Sequence, residues 1–398
     1  MIVHLFNSSS VSGPERLVLP ALATEAEQFT IVNLKEDRVL HGSDPLEEFC
    51  RSLRLRYAAV RVKGRWDRGA IRRLHEILNE LNPALVHAHA FKASAYLRSA
   101  GRGESIHRFP IVSTHHGVRG LPDWKTRVYD WYFRRYILRS YDRVLSVSTI
   151  DYELLLSSGL SKSHLRLHLN GIDGRWIDQT QRPEEARKIR AQWLPQEVDA
   201  DRLFLFGVVG RLSSEKDHAR LLRVLDGLNR LPGQREWKCL VFGMGSLEER
   251  LRQQARRLGL EKRVLWMGYR PSVGNELAGL DLLLSFSKAE GLPINLIEAG
   301  WAGTPVMATW VGGVRDLIPD DPFGIRVPPE EPVEESARRL QTLLSKEAQA
   351  ELSARASRFQ ERVTKEFTQE KWMQRLMEIY SELGPKFMRV AKYESSNH

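Results

Sequence analysis

Cysteine is scarce: the 398 residues hold two, Cys50 and Cys239, far apart and in unlike contexts. Such a pair makes neither a disulfide scaffold nor a CxxC zinc site, and it suits a reducing compartment. No apolar run approaches the roughly 18 residues that read as a membrane-spanning helix. The opening Met1-Ile2-Val3-His4-Leu5-Phe6 lacks a basic n-region and reads as a first strand, not a signal peptide. No recognition-helix, zinc-finger or RNP-type signature occurs, which argues against nucleic acid as a partner. Short-period repeats are lacking too. These absences lead to the expectation of a soluble cytoplasmic protein. What is present is ordinary for a globular chain, 42% hydrophobic and 28% charged, with length for two or three domains.

The net charge of +10 is uneven. Residues 1–175 hold 26 Lys and Arg against 18 Asp and Glu. Within Arg51–Arg73 nine residues are basic and Asp67 alone is acidic. A solvated basic face is one reading. Attraction to an anionic membrane surface or an anionic substrate is the other.

The first half alternates short apolar strands (Ile2–Phe6, Phe29–Leu34, Leu85–His89, Ile111–Thr114, Arg143–Ser148) with helical spacing at Pro14–Ala26, Gly69–Leu81 and Trp124–Leu138. That alternation predicts a parallel sheet covered by helices. Turn chemistry at Asn170–Gly174 and charged stretches at Arg182–Arg190 and Pro195–Asp201 suggest an interdomain linker. The alternation restarts at Leu203–Gly210, followed by strands at Trp237–Phe242, Val264–Met267, Leu282–Ser285 and Pro305–Ala308. Helices are expected at Ala219–Leu228, Leu247–Leu258 and Asn295–Ala302. The chain therefore reads as α/β, with two doubly wound domains facing a cleft. An amphipathic segment, Phe367–Leu383, follows the second sheet.

Ligands of open parallel sheets bind beyond the carboxyl ends of the strands, so chemistry is sought just after them. Arg211 and Lys216 flank a loop after the apolar run and suit a pyrophosphate. Gly243 and Gly245 form a GxG between strand and helix, an incomplete dinucleotide pattern because Glu248 stands where a third glycine would. In Glu290-Gly291-Leu292-Pro293-Ile294-Asn295-Leu296-Ile297-Glu298 an exposed turn leads into a helix whose first amides suit phosphate oxygens. Glu298, one turn in, suits ribose hydroxyls. His115 and His116 end a strand, where a histidine can act on a substrate. Neighbouring positions on an extended chain point opposite ways, which argues against a shared metal. Ser12-Gly13-Pro14 fits a helix start with bare backbone at Gly13.

Four of these segments, in order and spacing, resemble the donor domain of the GT-B-fold retaining glycosyltransferases of family four (glycosyltransferases group 1). They are Gly210-Arg211 with Glu215-Lys216, Phe242-Gly243-Met244-Gly245, Val264–Tyr269, and Glu290–Pro293 with Glu298. Ser12–Arg16, Pro110–Gly117 and Val144–Ser148 resemble the first domain of that family, with Ser12 replacing a glycine.

The resemblance implies an acceptor-binding domain over 1–178, joined by a C-terminal helix (about 367–385) crossing back to it. It implies a donor domain over 179–366, with 386–398 expected to fray. Arg211 and Lys216 would bind the diphosphate, assisted by Gly13, Gly243 and backbone at Gly291, Leu292, Pro293 and Ile294. Glu298 would hold the ribose, Met267, Gly268 and Tyr269 the base, and Glu290 the donor sugar. His116 would stand near the reacting carbon, and catalysis would rest on His116, Glu290, Arg211 and Lys216. His89, Lys92, Arg119 and Trp124 are acceptor-site guesses from their strand-end or loop placement. The implied activity is metal-independent, cofactor-free transfer from a nucleotide-sugar, UDP-sugar favoured, to a glycan or lipid-linked acceptor in polysaccharide or lipopolysaccharide biosynthesis. An epimerase or phosphorylase of this fold, or a non-catalytic nucleotide-sugar-binding partner, is the alternative.

Overall fold

The computed structural model describes residues 1–36, 44–64, 66–100, 109–117, 131–175, 182–193, 203–232, 235–270 and 272–384. It divides into two units, one formed by Met1–Asn170 with the chain from Gln369 onward, the other by Gly171–Thr368.

In the first unit β1 (Ile2–Phe6), β2 (Phe29–Glu36), β3 (Arg56–Val62), β4 (Leu85–His89), β5 (Ile111–His115), β6 (Arg143–Ser146) and β7 (Leu165–Leu167) form one sheet. Its order is β3-β2-β1-β4-β5-β6-β7, and these strands pair in parallel. Strand order reverses between β1 and β4, the position at which open sheets bind ligands. Both strands are buried along their whole length, as strands covered on two faces must be.

The basic run contains β3, which the sequence pattern did not disclose. It is an edge strand with Val60 and Val62 buried while Arg56 and Arg61 stay exposed. Charge on an edge blunts strand-to-strand aggregation. Of the expected Trp124–Leu138 helix, 124–130 lie outside the described residues. The remainder holds a π-helical turn at Phe133–Ile137 and a 3₁₀ turn at Leu138–Ser140.

The helix Gln369–Ser381 packs in this unit through Trp372, Leu376, Ile379 and Tyr380. His168 Nε2 lies 2.9 Å from the Trp372 carbonyl. Arg166 and Arg143 reach Glu382 at 2.7 and 3.2 Å, and the hydrogen bond from Arg166 leads in holding that carboxyl below its usual range.

In the second unit β8 (Phe204–Val209), β9 (Trp237–Phe242), β10 (Val264–Gly268), β11 (Leu282–Ser285), β12 (Val306–Thr309) and β13 (Ile325–Val327) form a sheet ordered β10-β9-β8-β11-β12-β13. The reversal falls between β8 and β11. Phe204, Phe206 and Trp237 anchor the core. The stretch read as a linker contains a helix, Arg182–Trp193, that belongs to this unit. Its Ile189 and Trp193 lie against Gly279, and Arg190 grips Asp281 at 3.1 Å and the Leu203 carbonyl at 2.6 Å. A ladder of apolar and ionic contacts, unforeseeable from its charge, makes it structural. No helix among the described residues is long and apolar enough to cross a membrane.

Candidate functional site

In the Gly171–Thr368 unit the loops leaving β8, β9, β11 and β12 meet at the strand reversal. They touch backbone to backbone, which explains two glycines. Gly243 (φ +147°) has no room for a Cβ against the Gly210 carbonyl, and Gly312 (φ +48°) has none against the Glu290 carbonyl. At Gly313 the amide donates to the Gly291 carbonyl at 2.6 Å. Gly312 and Gly313 escaped the sequence reading. Their signal was a glycine pair between a strand and a short helix.

Lys216 and Glu290, nominated from separate motifs, form an ion pair at 2.6 Å. Lys216 Nζ donates to both carboxylate oxygens, at 2.6 and 2.9 Å, and Ser287 Oγ donates to Oε1 at 2.6 Å. The Glu290 side chain is 7% exposed and that of Lys216 22%. Asp217 next in line has φ +42°, unusual for a residue with a side chain. It is held there because its carboxylate caps the helix His218–Arg230 through the Arg220 amide and pairs with Lys288 at 3.4 Å. Arg211 is exposed on the same loop.

The helix Ile294–Ala302 begins after Pro293, and Asn295 Nδ2 donates to the Val209 carbonyl at 2.7 Å. That bond fixes the amide-rich helix start against the end of β8, where the Arg211–Lys216 loop departs. Leu292 and Pro293 are buried, whereas Ile294 and Glu298 are half-buried. Gly243 donates its amide to the Gly268 carbonyl at 2.8 Å, and a register shift between Trp266 and Gly268 sets Met267 out of the β9–β10 ladder. Tyr269 is exposed.

In the other unit Gly13 opens the helix Gly13–Ala23. Glu15 accepts the Ser12 amide at 2.9 Å and hydroxyls from Ser12 and Ser8. His115 and His116 do diverge: His115 lies near Phe133, and His116 faces His89, Nε2 to Nδ1 3.2 Å. His89 is buried, stacked on Phe6 at 4.3 Å, with its Nε2 2.9 Å from His4 Nδ1. It supports His116 and has no nitrogen to spare for an acceptor. Lys92 bonds Glu36 at 2.6 Å. Arg119 and Trp124 lie outside the described residues.

The histidines His4, His87 and Tyr380 beside them were missed. The signal was His87-x-His89 on one face of a strand. Burial drives these imidazoles to the neutral form, lowering His4 to about 3 and His116 to about 4, and His87 and His89 well below the usual value. Ala90, directly after His89, has φ +66°, a strained conformation for alanine.

Residues 190–363 match the family model Glycosyl transferases group 1, and residues 21–175 match Glycosyltransferase Family 4. The chain belongs to the group 1 glycosyltransferases. It is 32% identical over 177 residues to the lipopolysaccharide 1,6-galactosyltransferase of Salmonella typhimurium, covering 43% of this chain and 46% of that one. It spans about half the length of the first curated relatives it matches.

Among solved structures, Anabaena HepE in complex with UDP and glucose superposes with a TM-score of 0.80 at 20% identity, over 96% of this chain and 99% of that one. The apo lipopolysaccharide outer core galactosyltransferase WaaB gives 0.66 at 19%, over 96% and 100%. The fold is the two-domain, Rossmann-like GT-B fold.

Proposed function

We propose that this protein transfers a sugar from a nucleotide-sugar, a UDP-sugar above all, to a glycan or lipid-linked acceptor in cell-surface polysaccharide or lipopolysaccharide biosynthesis. The observation that carries this reading is the Lys216–Glu290 pair at the strand reversal between β8 and β11, beside a pinned helix start. The names of the relatives, lipopolysaccharide galactosyltransferases among them, support the substrate class.

In this reading the donor diphosphate replaces Glu290 as the partner of Lys216. Arg211 and the amides at Gly291, Leu292 and Ile294 take the remaining oxygens. Glu290, released, receives sugar hydroxyls. Glu298 holds the ribose, and backbone at Met267, Gly268 and Tyr269 the base.

The bond from the anomeric carbon to the phosphate oxygen breaks, and the bond to the acceptor oxygen forms on the same face. The acceptor proton passes to the departing phosphate. Configuration is retained and no covalent enzyme intermediate forms. Cationic side chains stabilise the leaving charge, so no metal is required.

Transfer from UDP-sugars is the test. Arg211→Ala with Lys216→Ala is expected to lower kcat/KM by about 10³-fold, the scale of losing preorganised charge; unchanged rates would sink the assignment. Product configuration by NMR checks retention, and full activity in EDTA checks metal independence.

The first unit also suits an anionic membrane. Trp131, Tyr132 and Tyr136 are exposed around Arg134 and Arg135, aromatic and basic groups of the kind that settle at lipid headgroups. Co-flotation with anionic and not neutral vesicles at low salt is expected, and Trp131→Ala with Tyr136→Ala should weaken it several-fold. Equal flotation with both lipids would remove the membrane reading.

A further inference from the structure

Three strand exits at the carboxyl end of the first sheet converge on one buried phenol. β2 ends at Glu36, and β3 runs out through Lys63 and Gly64. The helix Ala90–Ala100 leaves β4 through Ala90 and its strained φ of +66°. Lys92, two residues further on, donates from Nζ to Glu36 Oε1 at 2.6 Å and to the Gly64 carbonyl at 3.2 Å. Those two bonds tie the ends of β2, β3 and β4 together. Tyr96, one turn along the same helix, is fully buried, and its hydroxyl accepts the Asp67 amide at 2.8 Å.

Trp66 and Lys92 both lie against the Tyr96 ring. The indole stands 5.1 Å from it, centroid to centroid, and the Lys92 ammonium 5.7 Å from its centroid. Trp66 nevertheless remains 53% exposed. The Glu36 side chain beside Lys92 is 41% exposed, and a carboxylate has lone pairs for several donors at once.

A single exposed tryptophan is ordinary on a protein surface. The surroundings of Trp66 are not. It is backed by a buried ring, stands near an ion pair, and occupies the end of the sheet at which open parallel sheets bind ligands. An aromatic face flanked by a carboxylate and an ammonium fits one class of ligand above others. A hexopyranose has an apolar face of C–H groups, which settle on the negative face of an aromatic ring. Its rim of hydroxyls donates to a carboxylate and accepts from an ammonium. A phospholipid headgroup fits the place less well, because the Glu36 carboxylate would meet its phosphate.

We propose that Trp66, Glu36 and Lys92 form a subsite for a hexopyranosyl residue, which stacks its C–H face on the indole and turns its hydroxyls to the ion pair. The indole supplies grip for any such sugar, and the pair selects among hydroxyl arrangements. That the sugar belongs to the acceptor glycan rests on the functional reading above; its binding here does not.

The test is saturation-transfer difference NMR of the full-length protein with the methyl glycosides of glucose, galactose, mannose and N-acetylglucosamine at millimolar concentration. At least one of the four is expected to respond, most strongly at the C–H protons of one ring face. Trp66→Ala should lower that response about 5-fold, and Trp66→Phe should keep roughly half of it. Glu36→Gln, which leaves the indole in place, should lower it about 3-fold.

No response from any of the four sugars overturns the proposal, as does a response equal in the wild type and Trp66→Ala. Loss of flotation on phosphatidylglycerol vesicles in Trp66→Ala, with the sugar response unchanged, would make the indole a lipid anchor instead. Should Trp66→Ala fail to fold, Trp66→Phe and Glu36→Gln decide, and unchanged responses in both overturn the proposal. A Trp66-dependent sugar response in a protein that transfers nothing from UDP-sugars would support the subsite and sink the functional reading alone.

Discussion

The two units share a strand order around their reversals, β3-β2-β1-β4-β5-β6 and β10-β9-β8-β11-β12-β13, yet fill that point with opposite electrostatics. Between β1 and β4 stand neutral, mutually bonded imidazoles sealed from water. Between β8 and β11 stand a lysine and a glutamate on loops closed by glycines. The same topology thus supplies an uncharged hydrogen-bonded array in one unit and a charge pair in the other. Partnering is what separates them: the buried imidazoles have neutral side chains as partners, whereas Lys216 and Glu290 stand against each other's charge.

Acid should break the comparison most. His4, His116 and His168 titrate at about 3, 4 and 4 when folded and near the usual value of about 6.5 when unfolded. Folded values are depressed, so the unfolded chain binds more protons in that window. Stability is complete above about 6.5 and falls as pH drops towards 4, by up to about 1.4 kcal/mol per group per pH unit. The second unit has one such group, His218 at about 4. Urea midpoints at pH 7.5 and 5.5, with hydrogen exchange by segment, should show the β1–β4 sheet loosening before β8–β11. A midpoint insensitive to this change would refute the neutral-histidine account.

Lys216→Met strands a buried carboxylate and is expected to cost about 3 kcal/mol. Adding Glu290→Gln should restore most of the stability but none of the transfer activity. If the double variant is no more stable than the single, the pair does not hold the loop. Gly312→Ala sharpens the same side: positive φ and collision with the Glu290 carbonyl predict a loss of about 2 kcal/mol by chemical denaturation. A neutral outcome would mean that the loop yields.

Much of the scaffold is legible along the chain. β1, β4, β9 and β11 fall where their apolar runs lie, because a strand buried on both faces is apolar along most of its length. The positions of Lys216 and Glu290 on loops after strands, and of Glu298 one turn into a helix, are legible because the loop geometry of parallel sheets dictates them. β3 is not legible: only two of its side chains are buried, and its arginines hide the alternation.

Pairing is what the sequence by itself leaves open. It placed Lys216 and Glu290 in separate motifs 74 residues apart, and the β8–β11 adjacency made them one ion pair. It offered His89 and His116 as strand-end residues of unlike purpose, while Tyr380 lies 293 residues from His87, beyond the reach of any local pattern. Local composition determines which segments bury themselves as strands and helices, since that depends on nearby apolar spacing. Which polar groups become partners is decided by the tertiary structure, sheet order and helix packing together, because a hydrogen bond exists only once folding has brought its two ends within about 3.2 Å.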